Sequence, residues 1–128
     1  MAHILVVDDD RDFREFVTTV LERNEHRVTT ASSGHRVLRA IREGCLRGHF
    51  DVALVDVIMP KVNGIEVIRA LRETYPAAKI IAMSGGGLRI DADECLDVAR
   101  QFGALITLAK PFPVVELHNA VRRALFPH

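Results

Sequence analysis

The sequence predicts an α/β protein in which five short strands alternate with five helices, the strands forming a parallel doubly wound sheet covered on both faces. Three observations carry that expectation. Short runs of β-branched and apolar residues recur along the chain, and each stops abruptly on a polar residue or a turn. Between them lie stretches whose apolar residues repeat at i, i+3, i+4 and i+7, the signature of one helix face. The alternation is unbroken by any repeat, linker or low-complexity segment. At 128 residues and 48% hydrophobic composition, the chain suits one domain over 1–128 with an adequate core and no room for a second.

His3-Ile4-Leu5-Val6-Val7 is the first strand, and it stops at Asp8-Asp9-Asp10. From Asp10 or Asp12, either of which could cap, Phe13, Phe16, Val17, Val20 and Leu21 trace one face of a helix that Asn24 ends. Arg27 to Ala31 is a second strand. After Ser32-Ser33-Gly34 a helix follows with Val37, Leu38 and Ile41 inward, fading through Gly44 and Gly48. The third strand, Val52-Ala53-Leu54-Val55, reaches Asp56 at its carboxyl end and breaks at Met59-Pro60 into a turn. Asn63-Gly64-Ile65-Glu66 sets a capping residue three before a Glu, so a helix runs from there to about Thr74, closed by Tyr75-Pro76. Lys79 to Met83 is the fourth strand, ending at Ser84. The glycine run 85–87 opens a flexible loop, after which Leu96, Ala99 and Phe102 make a helical face. Ala104 to Ala109 is the fifth strand, finishing at Lys110-Pro111-Phe112, and Val114, Leu117, Val121 and Leu125 stripe the last helix. Phe13, Phe16 and Phe102 are assigned to the core.

Composition excludes several classes of function. Seventeen basic residues balance seventeen acidic ones, leaving no field to attract nucleic acid or an anionic membrane. Arg36, Arg39, Arg42, Arg122 and Arg123 then read as solvated helix faces. Cys45 and Cys95 lack CxxC or His spacing and read as reduced thiols, and the six His residues never pair at metal-ligand spacing. No apolar run approaches the ~20 residues of a membrane span, and Met1-Ala2-His3 leads straight into a strand without room for a signal peptide. A cytoplasmic location is the expectation.

In a parallel sheet, Asp8, Asp9, Asp56, Ser84 and Lys110 all fall at carboxyl ends of strands, the edge where open α/β sheets bind ligands. Carboxylates ~4 Å apart repel by roughly 4 kcal/mol per pair at an effective dielectric of 20. A divalent cation relieves that, and an all-oxygen donor set without His or Cys favours Mg²⁺. Lys110 adds a compact positive charge and Ser84 a hydroxyl donor, both suited to the oxygens of a transferring phosphoryl group. Asp56 is the carboxylate left to act as nucleophile.

These residues, in this order and over the whole chain, resemble the receiver domain of two-component response regulators, in particular the single-domain chemotaxis type. Asp8-Asp9 resemble its acidic pair, Asp56 its phospho-accepting aspartate, Met59-Pro60 through Gly64 its following loop, Ser84 its switch hydroxyl and Lys110-Pro111-Phe112 its lysine motif. The resemblance implies a flavodoxin-like (βα)5 fold with strand order 2-1-3-4-5 and a cis peptide bond before Pro111. It implies Mg²⁺-dependent transfer of a phosphoryl group to Asp56 from a phosphohistidine on a sensor histidine kinase or phosphotransfer protein. It also implies that the chain catalyses its own phosphorylation and dephosphorylation without turning over an external substrate. Mg²⁺ is expected on Asp9, Asp56 and the backbone carbonyl of Ile58, with Asp8 acting through water. The surface of the fourth helix, fifth strand and fifth helix is expected to meet a downstream protein, with 85–93 as its variable edge.

The sequence departs from the family where it has Thr107 in place of a usual switch aromatic, and Ile58 and Gly86 at positions that tune phosphate lifetime. Other readings compete. Asp8-x-Asp10 after a strand, a later Ser84 and Lys110 mimic a haloacid-dehalogenase-type phosphatase using Asp8 and Asp10, but Asp12 stands where that family has Thr or Val. No Ser/Thr-rich phosphate loop follows the first strand, as a flavin carrier would need. Taken singly, each acid could be a cap or a turn residue; their joint placement on successive strand ends is what chance does not readily supply.

Overall fold

The computed structural model describes residues 2–46, 48–58, 64–84 and 92–126, with backbone alone over 92–96. Among these residues the order is β1 (His3–Val7), α1 (Arg11–Arg23), β2 (Arg27–Ala31), α2 (Gly34–Arg42), β3 (Val52–Asp56), α3 (Gly64–Thr74), β4 (Lys79–Ser84), α4 (Ala92–Gln101), β5 (Ile106–Ala109) and α5 (Val114–Leu125). The strands form one parallel sheet in the order β2-β1-β3-β4-β5. Fold class, strand order and alternation agree with the expectation from the sequence. The 59–63 turn with its Asn63 cap, the 85–91 loop, and the side chains of Asp93, Cys95 and Leu96 lie outside the described residues. Among the described residues no helix is long and apolar enough to cross a membrane.

Successive side chains of a strand point to opposite faces, and this divides the core in two. Ile4, Val6, Val52, Leu54, Ile81, Met83, Ile106 and Leu108 pack under α1 and α5 with Val17, Leu21, Leu117 and Val121. Leu5, Val7, Ala53, Val55, Ile80 and Ala82 pack on the other face with Val37, Val67, Ile68, Leu71 and Ala99. Strands apolar on both faces are what a sheet buried on both sides requires.

The helix ends have local causes. Asp10 caps α1, its carboxylate accepting the Phe13 N–H at 3.1 Å, which decides between Asp10 and Asp12. Ser33 caps α2 through the Arg36 N–H at 3.2 Å. Asn24 ends α1 as expected, and its amide donates back to the Val20 carbonyl. Ser84 and Asp56 are the last residues of their strands rather than the first beyond them, and β5 starts at Ile106, two residues later than expected.

Three apolar assignments are corrected. Phe16 is 37% exposed because it sits one residue, roughly 100°, round the helix from the buried Val17. Phe102 is 43% exposed; it follows the last residue of α4, the inward face there is filled by Ala99 and Ala104, and the Arg69 guanidinium covers its ring at 5.6 Å. Val114 is 41% exposed, since the buried face of α5 runs through Leu117, Ala120, Val121 and Ala124, the two alanines letting the helix approach the sheet closely.

Candidate functional site

Strand register brings the site residues to one edge. Val7 lies opposite Val55, so Asp8 is level with Asp56; Asp56 lies opposite Met83, so Ser84 is one step beyond; Ser84 lies opposite Ala109, so Lys110 is one step beyond that. Backbone bonds hold the edge closed: the Asp8 N–H donates to the Ala31 carbonyl, the Val57 N–H to Met83, and the Lys110 N–H to Ser84 at 2.8 Å. The alternation rule also assigns a face. Asp8 continues the row Ile4, Val6; Asp56 the row Val52, Leu54; Lys110 the row Ile106, Leu108. All three therefore end rows that face α1 and α5.

The side chains confirm that placement. Lys110 Nζ donates to Asp8 Oδ2 at 2.6 Å and to Asp56 Oδ2 at 3.1 Å. Asp8 is fully buried and Asp56 is 4% exposed. The other oxygen of each carboxylate takes a backbone N–H: Asp10 to Asp8 Oδ1 and Ile58 to Asp56 Oδ1, both at 2.9 Å. Asp9 is exposed, yet one carboxylate oxygen from each of Asp8, Asp9 and Asp56 can be chosen with all three within 4.8 Å of one another. Ser84 is fully buried at the end of β4, and the Lys110–Pro111 peptide bond is cis.

Two buried carboxylates share one ammonium, and the titrations reflect it. Burial pushes Asp56 up to about 6, against the pull of the Lys110 charge and the Ile58 N–H, with the Asp8 charge adding to the rise. Burial pulls Lys110 down, but its bond to Asp8 and the charges of Asp56 and Asp8 outweigh that and hold it above the usual lysine range. Among the described residues, the cluster of Asp8, Asp9 and Asp56 has one side-chain cation paired with it, Lys110, which bonds Asp8 and Asp56. All-oxygen donors of negative charge suit a hard divalent cation such as Mg²⁺ and offer nothing to a metal that prefers nitrogen or sulfur.

Gly64 guards the geometry from behind. A Cβ there would lie 2.4 Å from the Asp56 carbonyl oxygen and 2.4 Å from Val57 Cα, so the start of α3 approaches the acid's own backbone as only glycine permits. The Gly64 N–H donates to the Val57 carbonyl at 3.3 Å.

Two features of the neighbourhood escaped the sequence reading. The Arg14 guanidinium donates to the Asp8 carbonyl at 2.8 Å. On the far side of the sheet edge, Arg100 Nη2 donates to Thr107 Oγ1 at 2.8 Å, so the residue standing where a ring is usual is tied by its hydroxyl to α4. A hydrogen bond between one helix and the neighbouring strand leaves no periodicity to read. Asp10, proposed as a second catalytic acid in the phosphatase alternative, is exposed and occupied as the α1 cap, with Oδ1 taken by Phe13.

Comparison with known proteins gives a consistent result. The family model described as the response regulator receiver domain matches residues 4–122. The DNA-binding transcriptional regulator NtrC of Azospirillum brasilense is 36% identical over 124 residues, covering 97% of this chain and 24% of that protein. The response regulator receiver protein CpdR of Brucella abortus is 30% identical over 128 residues, covering 98% of each. The crystal structure of a response regulator receiver domain protein from Clostridium thermocellum superposes with a TM-score of 0.81 at 31% identity, covering 99% of this chain and 96% of that one. The chain thus spans about a quarter of NtrC and 50% of Escherichia coli CpxR.

Proposed function

Because this chain belongs to the response regulator receiver family of two-component signalling, we propose that Asp56 is the residue through which it accepts a phosphoryl group from a phosphohistidine of a sensor kinase or phosphotransfer protein. The observation that carries the proposal is the Asp56 carboxylate itself: buried at a strand end, one oxygen fixed by the Ile58 N–H, the other beside the Lys110 ammonium. Burial pushes the Asp56 carboxyl up to about 6, still below neutral pH, so the ionised form that attacks is available. A carboxylate oxygen forms the new bond to phosphorus while the phosphorus–nitrogen bond of the donor breaks, its electron pair leaving with the imidazole. The Lys110 ammonium lies beside the attacking carboxylate, placed to meet the phosphoryl oxygens on which negative charge is spread, and such fixed charges lower the barrier without reorganisation.

Asp8, Asp9 and Asp56, with the Ile58 carbonyl, are the residues that would hold Mg²⁺, which when bound neutralises carboxylate and phosphoryl charge together. Among the described residues, Asp8 and Asp56 otherwise have the Lys110 ammonium alone as an ion-pair partner. Loss of the phosphoryl group is attack by water on the same acyl phosphate, releasing inorganic phosphate and regenerating the carboxylate. Neither Ile58 nor Gly86 carries a side chain able to orient that water.

Phosphorylation replaces the single charge of the Asp56 carboxylate by a phosphoryl group that carries nearly two negative charges and further acceptor oxygens, which draws in the Ser84 hydroxyl and Lys110. Both sit at the ends of strands that support α4 and α5, so the surface of α4, β5 and α5 is the one we assign to partner binding, with 85–93 as its edge. Intact mass after incubation with acetyl phosphate and Mg²⁺ tests the reading. One added phosphoryl group is expected, absent from Asp56→Asn; an unchanged adduct in that variant would overturn the assignment.

A further inference from the structure

Lys110 is held from a third side by a residue with no place in the chemistry above. Its Nζ lies 4.2 Å from the centroid of the Phe13 ring, well within the ~6 Å over which an ammonium is attracted to the face of a ring. The Lys110 side chain is only 13% exposed, so little water competes for that contact. Phe13 is braced in turn. Phe112, buried two residues after Lys110, presses edge-on at 5.2 Å with the planes at 89°.

The backbone of Phe13 is tied back to the site. Its N–H donates to Asp10 Oδ1, the Asp10 N–H donates to Asp8 Oδ1, and Asp8 Oδ2 accepts from Lys110. The contacts close a circuit through Asp8, Asp10, Phe13 and Lys110. Phe13 as mere core filler accounts for the Phe112 contact, but not for a charged nitrogen over the ring face, where an aliphatic side chain would pack equally well and attract nothing.

We propose that Phe13 is a positioning residue for Lys110: its ring face, braced by Phe112 and by the Asp10 cap, holds the ammonium between Asp8 and Asp56 in the resting protein, in place for the incoming phosphoryl oxygens. The functional half rests on Asp56 being the acceptor; the contact itself does not. A lysine has four rotatable side-chain bonds, and confining them before the reaction removes an ordering cost from the transition state.

The test replaces Phe13 by 4-fluoro-, 3,4,5-trifluoro- and pentafluorophenylalanine, which weaken the ring's negative face progressively while largely keeping its shape. Phosphorylation by acetyl phosphate should slow stepwise, reaching about three- to tenfold at the end of the series. Midpoints of thermal unfolding, measured without Mg²⁺ or phosphodonor, should fall stepwise by roughly 2–6 °C in total. In a Lys110→Met background the same series should leave the midpoint flat. An equal fall with and without Lys110 would mean that Phe13 only packs, and would overturn the proposal. A stepwise fall in midpoint with no change in rate would overturn its positioning role. Should the wild type take no phosphoryl group, the reading of Asp56 fails by itself, and the stability comparison still decides whether the ring holds the lysine.

Discussion

Asp56→Asn should make the Mg²⁺-free protein more stable at neutral pH, and the size of the gain follows from the burial of the acid. An aspartate raised from 3.8 to about 6 binds protons more tightly folded than unfolded. Stability then falls as pH rises through the window from 3.8 to about 6, and above it the full cost of ionising a buried carboxylate is present. At 1.36 kcal/mol per unit that cost is about 3 kcal/mol. Asparagine keeps an oxygen for the Ile58 N–H and carries no charge, though Lys110 loses one of its two partners. We expect a net gain of about 1–3 kcal/mol at pH 7.5, or roughly 4–12 °C in midpoint. Urea unfolding with EDTA, followed by circular dichroism from pH 3.5 to 7.5, measures it. The difference between variant and wild type cancels titrations remote from the site, such as those of Asp51 and His26, and should shrink toward zero as the pH falls through the window. A variant no more stable than wild type at pH 7.5, or a gain independent of pH, would refute the reasoning.

Four further outcomes follow. Lys110→Ala strands two buried carboxylates and should cost about 3 kcal/mol without Mg²⁺, with part of the loss restored by millimolar Mg²⁺ in the same urea titration. Gly64→Ala, whose Cβ would meet the Asp56 carbonyl and Val57 at 2.4 Å, should destabilise by roughly 1–3 kcal/mol and slow phosphorylation; a neutral change would show that the start of α3 can yield. Asp9→Ala should weaken Mg²⁺ binding in a calorimetric titration, and equal affinities would exclude Asp9 from the ligand set. With beryllofluoride as phosphoryl mimic, hydrogen exchange should slow in 85–93 and change little around Thr107, whose hydroxyl is already tied to Arg100.

Much of this site was legible because its residues stand where strand patterns stop. A buried strand reads as an apolar run, and Asp8, Asp56, Ser84 and Lys110 mark the points where the runs end. Parallel pairing then brings those ends to one edge without further information. Going one step further was possible as well: alternation along β1, β3 and β5 puts Asp8, Asp56 and Lys110 on the face covered by α1, which is where Phe13 lies. Counting Phe13 simply as an apolar position on a helical stripe concealed its contact with the lysine. Phe102 and Val114 are misplaced because large apolar residues were taken to define the buried face while Ala99, Ala104, Ala120 and Ala124 occupied it, and Phe16 because it flanks the buried stripe of Val17, Val20 and Leu21. The Arg100 to Thr107 and Arg14 to Asp8 bonds depend on side-chain reach between elements, which sequence spacing does not encode.

The central claim, that the acceptor is Asp56 and no other acid of the cluster, is tested most directly by trapping the acyl phosphate. Reduction with sodium borohydride after treatment with acetyl phosphate and Mg²⁺ converts a phosphorylated aspartate into homoserine, and peptide mass spectrometry locates it. We expect homoserine at position 56 alone, dependent on the phosphodonor and lost with EDTA. Homoserine at position 8, 9 or 10, or at none despite an added phosphoryl mass, would contradict the account.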